Sequence, residues 1–211
     1  MSGRPRRRHT SQQAERAILA AARSFLAEHP FRELTAEAVM TRTGLSRTAF
    51  YAYFRDRYDL VTRLLEGIGA LLFAVDRYWL EGGEEAGAPA SESLGEALRR
   101  GAETFVEYGP VLRAIADAAS HDSRVEQVYR YGLIENLIQA VADRVSRDVE
   151  AGISSGEIDP EETARALVLM TERYLLDAFG RPQAKPSEER IAIVVGTLER
   201  VWELTLYGPE A

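Results

Sequence analysis

The twenty residues from Thr35 to Phe54, TAEAVMTRTGLSRTAFYAYF, leave few folds open to this chain. Thr35 is a hydroxyl N-cap, and Ala38, Val39 and Met40 give the helix after it an apolar side. Gly44 stands where that helix must stop and the chain must turn with φ > 0, a conformation glycine adopts without steric cost. Leu45 fills the corner, and Ser46 is placed to cap a second helix. Phe50 and Phe54, four residues apart, share a face that can anchor this second helix to a core. The opposite face then carries Arg47, Thr48, Tyr51 and Tyr53. A helix held by two phenylalanines and presenting Arg, Thr and Tyr outward suits a DNA major groove. By spacing alone, a plain αα-hairpin with a solvated polar face fits equally well.

Charge distribution favours the DNA reading. The chain of 211 residues has a net charge of −7, which suits no DNA binder until it is divided. Residues 1–60 hold 11 Arg against 6 Asp or Glu, a balance of +5, and residues 61–211 therefore carry −12. Basic charge sits where phosphates would lie, and the acidic remainder is kept away from them. The arm 1–9, MSGRPRRRH, adds Arg4, Arg6, Arg7 and Arg8, which can follow a DNA backbone or minor groove or remain a solvated tail. No stretch approaches the ~18 apolar residues of a membrane span, and no apolar segment follows the basic N-terminus as in a signal peptide. With no cysteine in the chain, disulfides, thiol catalysis and thiolate metal sites are excluded. A cytoplasmic protein is the expectation.

The rest of the chain reads as helices. Thr10 to Gln13 is a capping box opening the first. Asp56 caps a long fourth helix to about Leu80, a lever with one end beside the outward-facing helix and the other in the body. Residues 81–91, EGGEEAGAPAS, form an exposed loop. A helix from Ser93 to Tyr108 is expected to break at Gly109–Pro110, with a short helix following to about Ser120. Asp122 caps an amphipathic helix to roughly Gly152. Asp159-Pro160-Glu161-Glu162 combines an N-cap, an N1 proline and an N3 glutamate, and that helix ends at Gly180 and Pro182. Ser187 opens the last one. No segment alternates as a strand does, so the expectation is an all-α chain of about nine helices. It comprises a flexible arm (1–9), a three-helix helix-turn-helix domain (10–55) and a ligand-binding and dimerisation domain (56–211).

The ordered string G-L-S-R-T-A-F-Y-A-Y-F at 44–54, followed by R-D-R-Y-D-L, resembles the DNA-binding domain of the TetR family of bacterial repressors. The resemblance implies that Thr35, Ser46, Arg47, Thr48, Tyr51, Tyr53 and Arg57 meet a double-stranded operator. Ala49 stands where many relatives have Thr, and Arg57 replaces the usual lysine while keeping a positive charge with forked geometry. The family also implies a homodimer through the last two helices, where Leu167, Leu175, Ile193, Leu198 and Val201 offer apolar positions. Two heads then require a roughly palindromic operator.

The stretches A-L-V-L-M-T-E-R-Y-L-L-D-A-F at 166–179 and W-E-L-T-L-Y-G at 202–208 are similar to one subgroup of the family, that of the mycobacterial repressor of the ethionamide-activating monooxygenase. In that relative a hydrophobic tunnel runs through the body. Carried over, its lining here comprises Leu98, Gly101, Phe105, Leu137, Val141, Val168, Thr171, Leu176 and Trp202. Val168 and Thr171 replace two asparagines of the relative, and Leu98 and Leu137 replace two tryptophans, which makes a more aliphatic pocket. Periodicity brings some of these positions together independently: Leu98, Gly101 and Phe105 share one face, and Val168, Thr171 and Leu175 another. For any single leucine, ordinary bundle core serves as well. Gly101 inside an apolar helical face costs about 1 kcal/mol against alanine, which suggests a close approach there, and Thr171 could orient a ligand.

Catalytic chemistry finds no support. His9, His29 and His121 lie in a tail, a helix end and a loop, without metal-ligand spacing. Glu161–Glu162 reads as a helix start and Glu84–Glu85 as a solvated loop, and no acid, base and nucleophile converge. The expectation is a non-enzymatic regulator without cofactor or metal, released from DNA by a hydrophobic small molecule. Two alternatives remain open: a helix-turn-helix protein controlled by a protein partner through a solid body, and a ligand carrier with a vestigial head.

Overall fold

The computed structural model describes residues 11–81, 90–154, 157–181 and 186–208. The basic arm, Thr10, most of the expected 81–91 loop and Pro182 lie outside the described residues. Within them the chain is helical throughout: α1 (Ser11–Glu28), a 3-10 turn (Phe31–Glu33), α2 (Ala36–Thr43), α3 (Arg47–Phe50), α4 (Arg57–Leu80), α5 (Ala90–Ala119), α6 (123–150), α7 (Pro160–Phe179) and α8 (Glu188–Leu206).

Polar side chains begin most of these helices by accepting otherwise unpaired N–H groups. Thr35 Oγ1 accepts from Ala38 N at 3.1 Å, and Asp56 Oδ1 from Tyr58 N and Asp59 N at 2.9 and 3.0 Å. Asp159 accepts from Glu162 N at 2.9 Å and Ser187 from Arg190 N at 3.2 Å. Ser46 departs from the expectation, since it stands at the N-cap of α3 but its side chain makes no capping bond. The turn before it is held instead by Thr43, whose hydroxyl donates to Met40 O and accepts from Leu45 N. Gly44 takes φ +70° at the end of α2, as the turn requires.

Eight helices are present among the described residues, where nine are expected, because α5 does not break at Gly109–Pro110. Proline in a helix interior removes a backbone donor and costs about 3 kcal/mol. Here Val111, Leu112 and Ile115 are buried just beyond it, and their packing outweighs that cost. Gly109 is the close approach in this helix: a Cβ there would lie 2.5 Å from the carbonyl oxygen of Phe179 at the end of α7. Helix α6 is also less regular than an amphipathic pattern suggests. Between Gln127 and Ile134 it is wound as a π-helix before returning to α geometry at Glu135. The wider winding lets the adjacent Leu133 and Ile134 both be buried, together with Tyr129.

A single connected set of buried apolar side chains runs from Ile18 in α1 to Leu206 in α8. Phe50 and Phe54 belong to it, each 1 % exposed with rings 5.6 Å apart. The helix-turn-helix is therefore mounted on the same core that fills the body. Two glycines of α5 should respond oppositely to alanine. Gly109→Ala forces backbone against backbone and should lower the thermal midpoint by several degrees. Gly101→Ala, whose Cβ meets nothing within 4 Å, should raise stability by about 1 kcal/mol through helix propensity alone. Urea denaturation of both variants checks the contrast.

Candidate functional site

The outward surface of the head is short. Helix α3 is regular only from Arg47 to Phe50, and bonds from Tyr53 N and Phe54 N to Phe50 O carry the chain one turn further. Thr35, Ser46, Arg47, Thr48 and Tyr51 are exposed, Tyr51 at 55 %. Tyr53 and Arg57 are not free in this way. Tyr53 is half-buried against the core. Arg57 lies over the rings of Phe31 and Tyr58, at 4.8 and 5.1 Å, and donates to the Arg32 carbonyl at 3.5 Å. Sequence reasoning missed Arg55, whose side chain is 89 % exposed beside Asp59. In R-D-R the family pattern points to the second arginine, and nothing in the string tells which of the two turns inward.

Behind the head, α4 and α6 begin side by side, and each caps itself while gripping the other. Asp56 holds the first turn of α4 and accepts from Arg124 of α6 at 2.7 Å. Asp122 holds the first turn of α6 and accepts from the Tyr58 hydroxyl of α4 at 2.7 Å. The Arg124 guanidinium also lies 3.8 Å from the centre of the Tyr58 ring. The hydrogen bond from Tyr58 holds the Asp122 carboxyl below the usual aspartate value, helped by the backbone N–H groups of Arg124 and Val125. The far end of α4 is tied as firmly. Arg144 and Asp148 of α6 form an ion pair at 2.9 Å with side chains only 3 and 4 % exposed. Arg144 also donates to the Trp79 carbonyl at 2.6 Å, and Arg147 to that of Leu80. Guanidiniums at these carbonyls complement the negative end of the helix dipole. Tyr207 accepts from Trp79 Nε1 at 3.1 Å, and burial pushes its hydroxyl up to about 12.

Between these two fastenings lies a cavity of about 80 Å³. Eight of the nine residues expected to line a pocket do so: Leu98, Gly101, Phe105, Leu137, Val141, Val168, Thr171 and Trp202. Leu176 does not. It is buried elsewhere, and its neighbour Leu175 takes the lining position. The 3.6-residue period, which groups Leu175 with Val168 and Thr171, is right here where the carried-over alignment is one residue off. Leu72 and Trp79 of α4, Tyr129, Leu133 and Ile134 of the π segment, and Glu172 also reach the cavity, unanticipated from sequence. Gly101 has no protein atom close to it, so its place in the helix opens space instead of admitting a neighbour. Two polar pairs sit in the wall: Trp202 Nε1 donates to Thr171 Oγ1 at 2.9 Å, and the Tyr129 hydroxyl donates to Glu172 Oε1 at 2.6 Å. Burial, with the Glu172 charge, raises the Tyr129 pKa well above its ordinary value, so the phenol stays a donor.

Residues 94–208, more than half of the chain, match the family model "Transcriptional regulator EthR, C-terminal domain", and residues 18–64 match "Bacterial regulatory proteins, tetR family". The chain belongs to the TetR family, with an EthR-type C-terminal domain. It is 27 % identical to the HTH-type transcriptional regulator EthR of Mycolicibacterium smegmatis, over 98 % of this chain and 92 % of that one. The identity to EthR of Mycobacterium tuberculosis H37Rv is the same, over 98 % and 93 %. A TetR-family regulator from a Rhodococcus species shares the fold with a TM-score of 0.67 at 21 % identity, over 89 % of this chain and 97 % of that one.

As a TetR-family member the protein is a DNA-binding transcriptional regulator. The apolar positions expected to join two copies of such a regulator divide in the structure. Leu167, Leu175 and Leu198 are core residues, buried within the single chain, whereas Ile193 and Val201 are exposed, Ile193 at 53 %. Leu169, Met170 and Leu204 are exposed on the same two helices, α7 and α8. Among the described residues, no helix of this regulator is long and apolar enough to cross a membrane.

The crossed caps have a pH signature. A carboxyl with a lowered folded-state pKa contributes stability that is present above the ordinary aspartate value and is lost as pH falls through the folded one. Tyr58→Phe should cost about 1 kcal/mol at neutral pH and should flatten the loss of stability below roughly pH 4. Thermal midpoints of both proteins between pH 3 and 7 measure this, and parallel curves would show that Tyr58 does not hold Asp122.

Proposed function

We propose that this regulator is a homodimeric repressor of an approximately palindromic operator, released when a hydrophobic small molecule occupies the body cavity. In this reading residues 1–9 form a basic arm, 10–55 the DNA-binding domain, and 56–211 the effector and dimerisation domain. Arg47 and Thr48 face base edges, and Tyr51 contacts phosphate. Arg55 takes the backbone role first given to Arg57, because Arg57 is folded onto Phe31 and Tyr58. The exposed Leu169, Met170, Ile193, Val201 and Leu204 join the copies. The observation that carries the release mechanism is the position of the cavity against both α4 and α6, the two helices whose N-termini are crossed behind the head. A molecule that parts Leu72 and Trp79 from Tyr129, Leu133 and Ile134 favours a state in which those N-termini, and with them the heads, are differently spaced.

An operator selected from random DNA by the purified full-length protein tests the head. Arg47→Ala should cost about 1–3 kcal/mol on that operator and relax one position per half-site. Arg55→Ala should weaken all sequences alike and reduce the salt dependence by about one counterion. Equal losses on operator and random DNA for both variants would refute the assignment.

The body is tested by Gly101→Leu measured against Gly101→Ala, which isolates the helix-propensity effect. If the cavity is open space, the leucine gains contacts and its thermal midpoint equals or exceeds that of the alanine variant, with operator binding retained. In a packed core the same change overpacks and costs about 1–3 kcal/mol. That result, with loss of DNA binding, favours regulation by a protein partner through a solid body.

A further inference from the structure

Of the described side chains lining the cavity, Glu172 is the single charged one. Its Oε1 accepts from the Tyr129 hydroxyl at 2.6 Å, and its Oε2 makes no hydrogen bond or ion pair among the described residues. Three arginines of α5, α6 and α7 are bound to other groups. Arg144 is bound to Asp148 and the Trp79 carbonyl, Arg113 to the Leu176 carbonyl and Asp117, and Arg165 to Glu135. The N–H donors of the wall are used as well, Trp79 on Tyr207 and Trp202 on Thr171. What the cavity still offers is one anionic acceptor, the neutral Thr171 O–H, and the rings of Trp79, Phe105, Tyr129 and Trp202.

An apolar molecule carrying a carboxylate would bring a second negative charge to Glu172, and no cation among the described residues lines the cavity to balance it. An ammonium instead meets a carboxylate oxygen, with aromatic faces whose negative quadrupole attracts cations. We infer that the cavity selects a lipophilic amine, its ammonium paired with Glu172 Oε2 and its hydrocarbon part among the leucines. This rests on the cavity being the effector site and goes further by fixing the class of effector. The small volume of the empty cavity favours a short hydrocarbon part.

The protein carries its own probe, since its two tryptophans, Trp79 and Trp202, both line the cavity. Tryptophan emission of the full chain at pH 7, titrated with hexylamine, hexanol and hexanoate, compares three head groups on one chain length. Hexylamine should bind at least tenfold more tightly than hexanoate and measurably more tightly than hexanol. Glu172→Gln should weaken hexylamine at least tenfold while changing hexanol less than about threefold. Tyr129→Phe, which frees Oε1 as well, should leave hexylamine binding intact or tighter and keeps the test alive if the glutamine variant does not fold. Hexanoate matching hexylamine, or an amine affinity indifferent to Glu172→Gln, overturns the inference while the cavity reading stands on hexanol. Emission unmoved by all three overturns both.

Discussion

The first turns of α4 and α6 are held together by two aspartates, each with two tasks. Asp56 and Asp122 cap their own helices and at the same time accept one side chain from the first turn of the other helix. An N-cap is a fixed point, because its oxygen must meet backbone N–H groups in a set direction. Linking two such points through Tyr58 and Arg124 therefore joins the helices rigidly where they start. A surface ion pair between flexible side chains is worth little by itself. Here the stacking of Arg124 on Tyr58 removes much of that flexibility, and Arg57 lies over both the same ring and that of Phe31 beside it. That use of Arg57 accounts for its being half-buried where Arg55 is exposed.

The two ends of the α4–α6 pair contrast with its middle. At one end stand the crossed caps, at the other the buried Arg144–Asp148 pair with its bonds to the terminal carbonyl of Trp79. Between them both helices line the cavity, and α6 is wound as a π-helix along that stretch. A π segment can return to α geometry only by moving one residue out of the widened turn, which rotates everything on its N-terminal side. Residues 122–124 lie on that side. On the reading proposed above, the soft part of the pair is where an effector enters, and the rigid part is what it moves.

Much of this is legible in the sequence because it is local. The Thr35, Asp56, Asp159 and Ser187 caps, the Gly44 turn and the Phe50–Phe54 anchor each depend on residues within a few positions of one another. The misses are long-range. Gly109–Pro110 reads as a break because the pattern cannot show that Val111, Leu112 and Ile115 are buried beyond it, or that Phe179 crosses the glycine. Trp79 and Glu172 reach the cavity only because α4 and α7 meet around it. Leu167, Leu175 and Leu198 are read as a face for a second copy because period alone does not say which of two apolar stripes the chain keeps for itself. Resemblance and period differ at one position, and Leu175, which falls in line with Thr171 and Val168, lines the cavity where Leu176 does not.

A void in a helical core ordinarily shrinks, because leucines and aromatic rings shift to recover lost contacts, and the cost of the space left depends on how far they can. In this body the large rings cannot shift freely. Trp79 is held at its indole nitrogen by Tyr207, Trp202 at its nitrogen by Thr171, and Tyr129 at its hydroxyl by Glu172. Each ring can rock about its polar tip but cannot slide into the cavity without leaving a buried donor unpaired, at about 1–3 kcal/mol. Gly101 completes the arrangement by withholding a side chain where one would fit. The space is thus kept open by hydrogen bonds at its edge, and on the reading proposed above an effector regains lost contacts without breaking any of them.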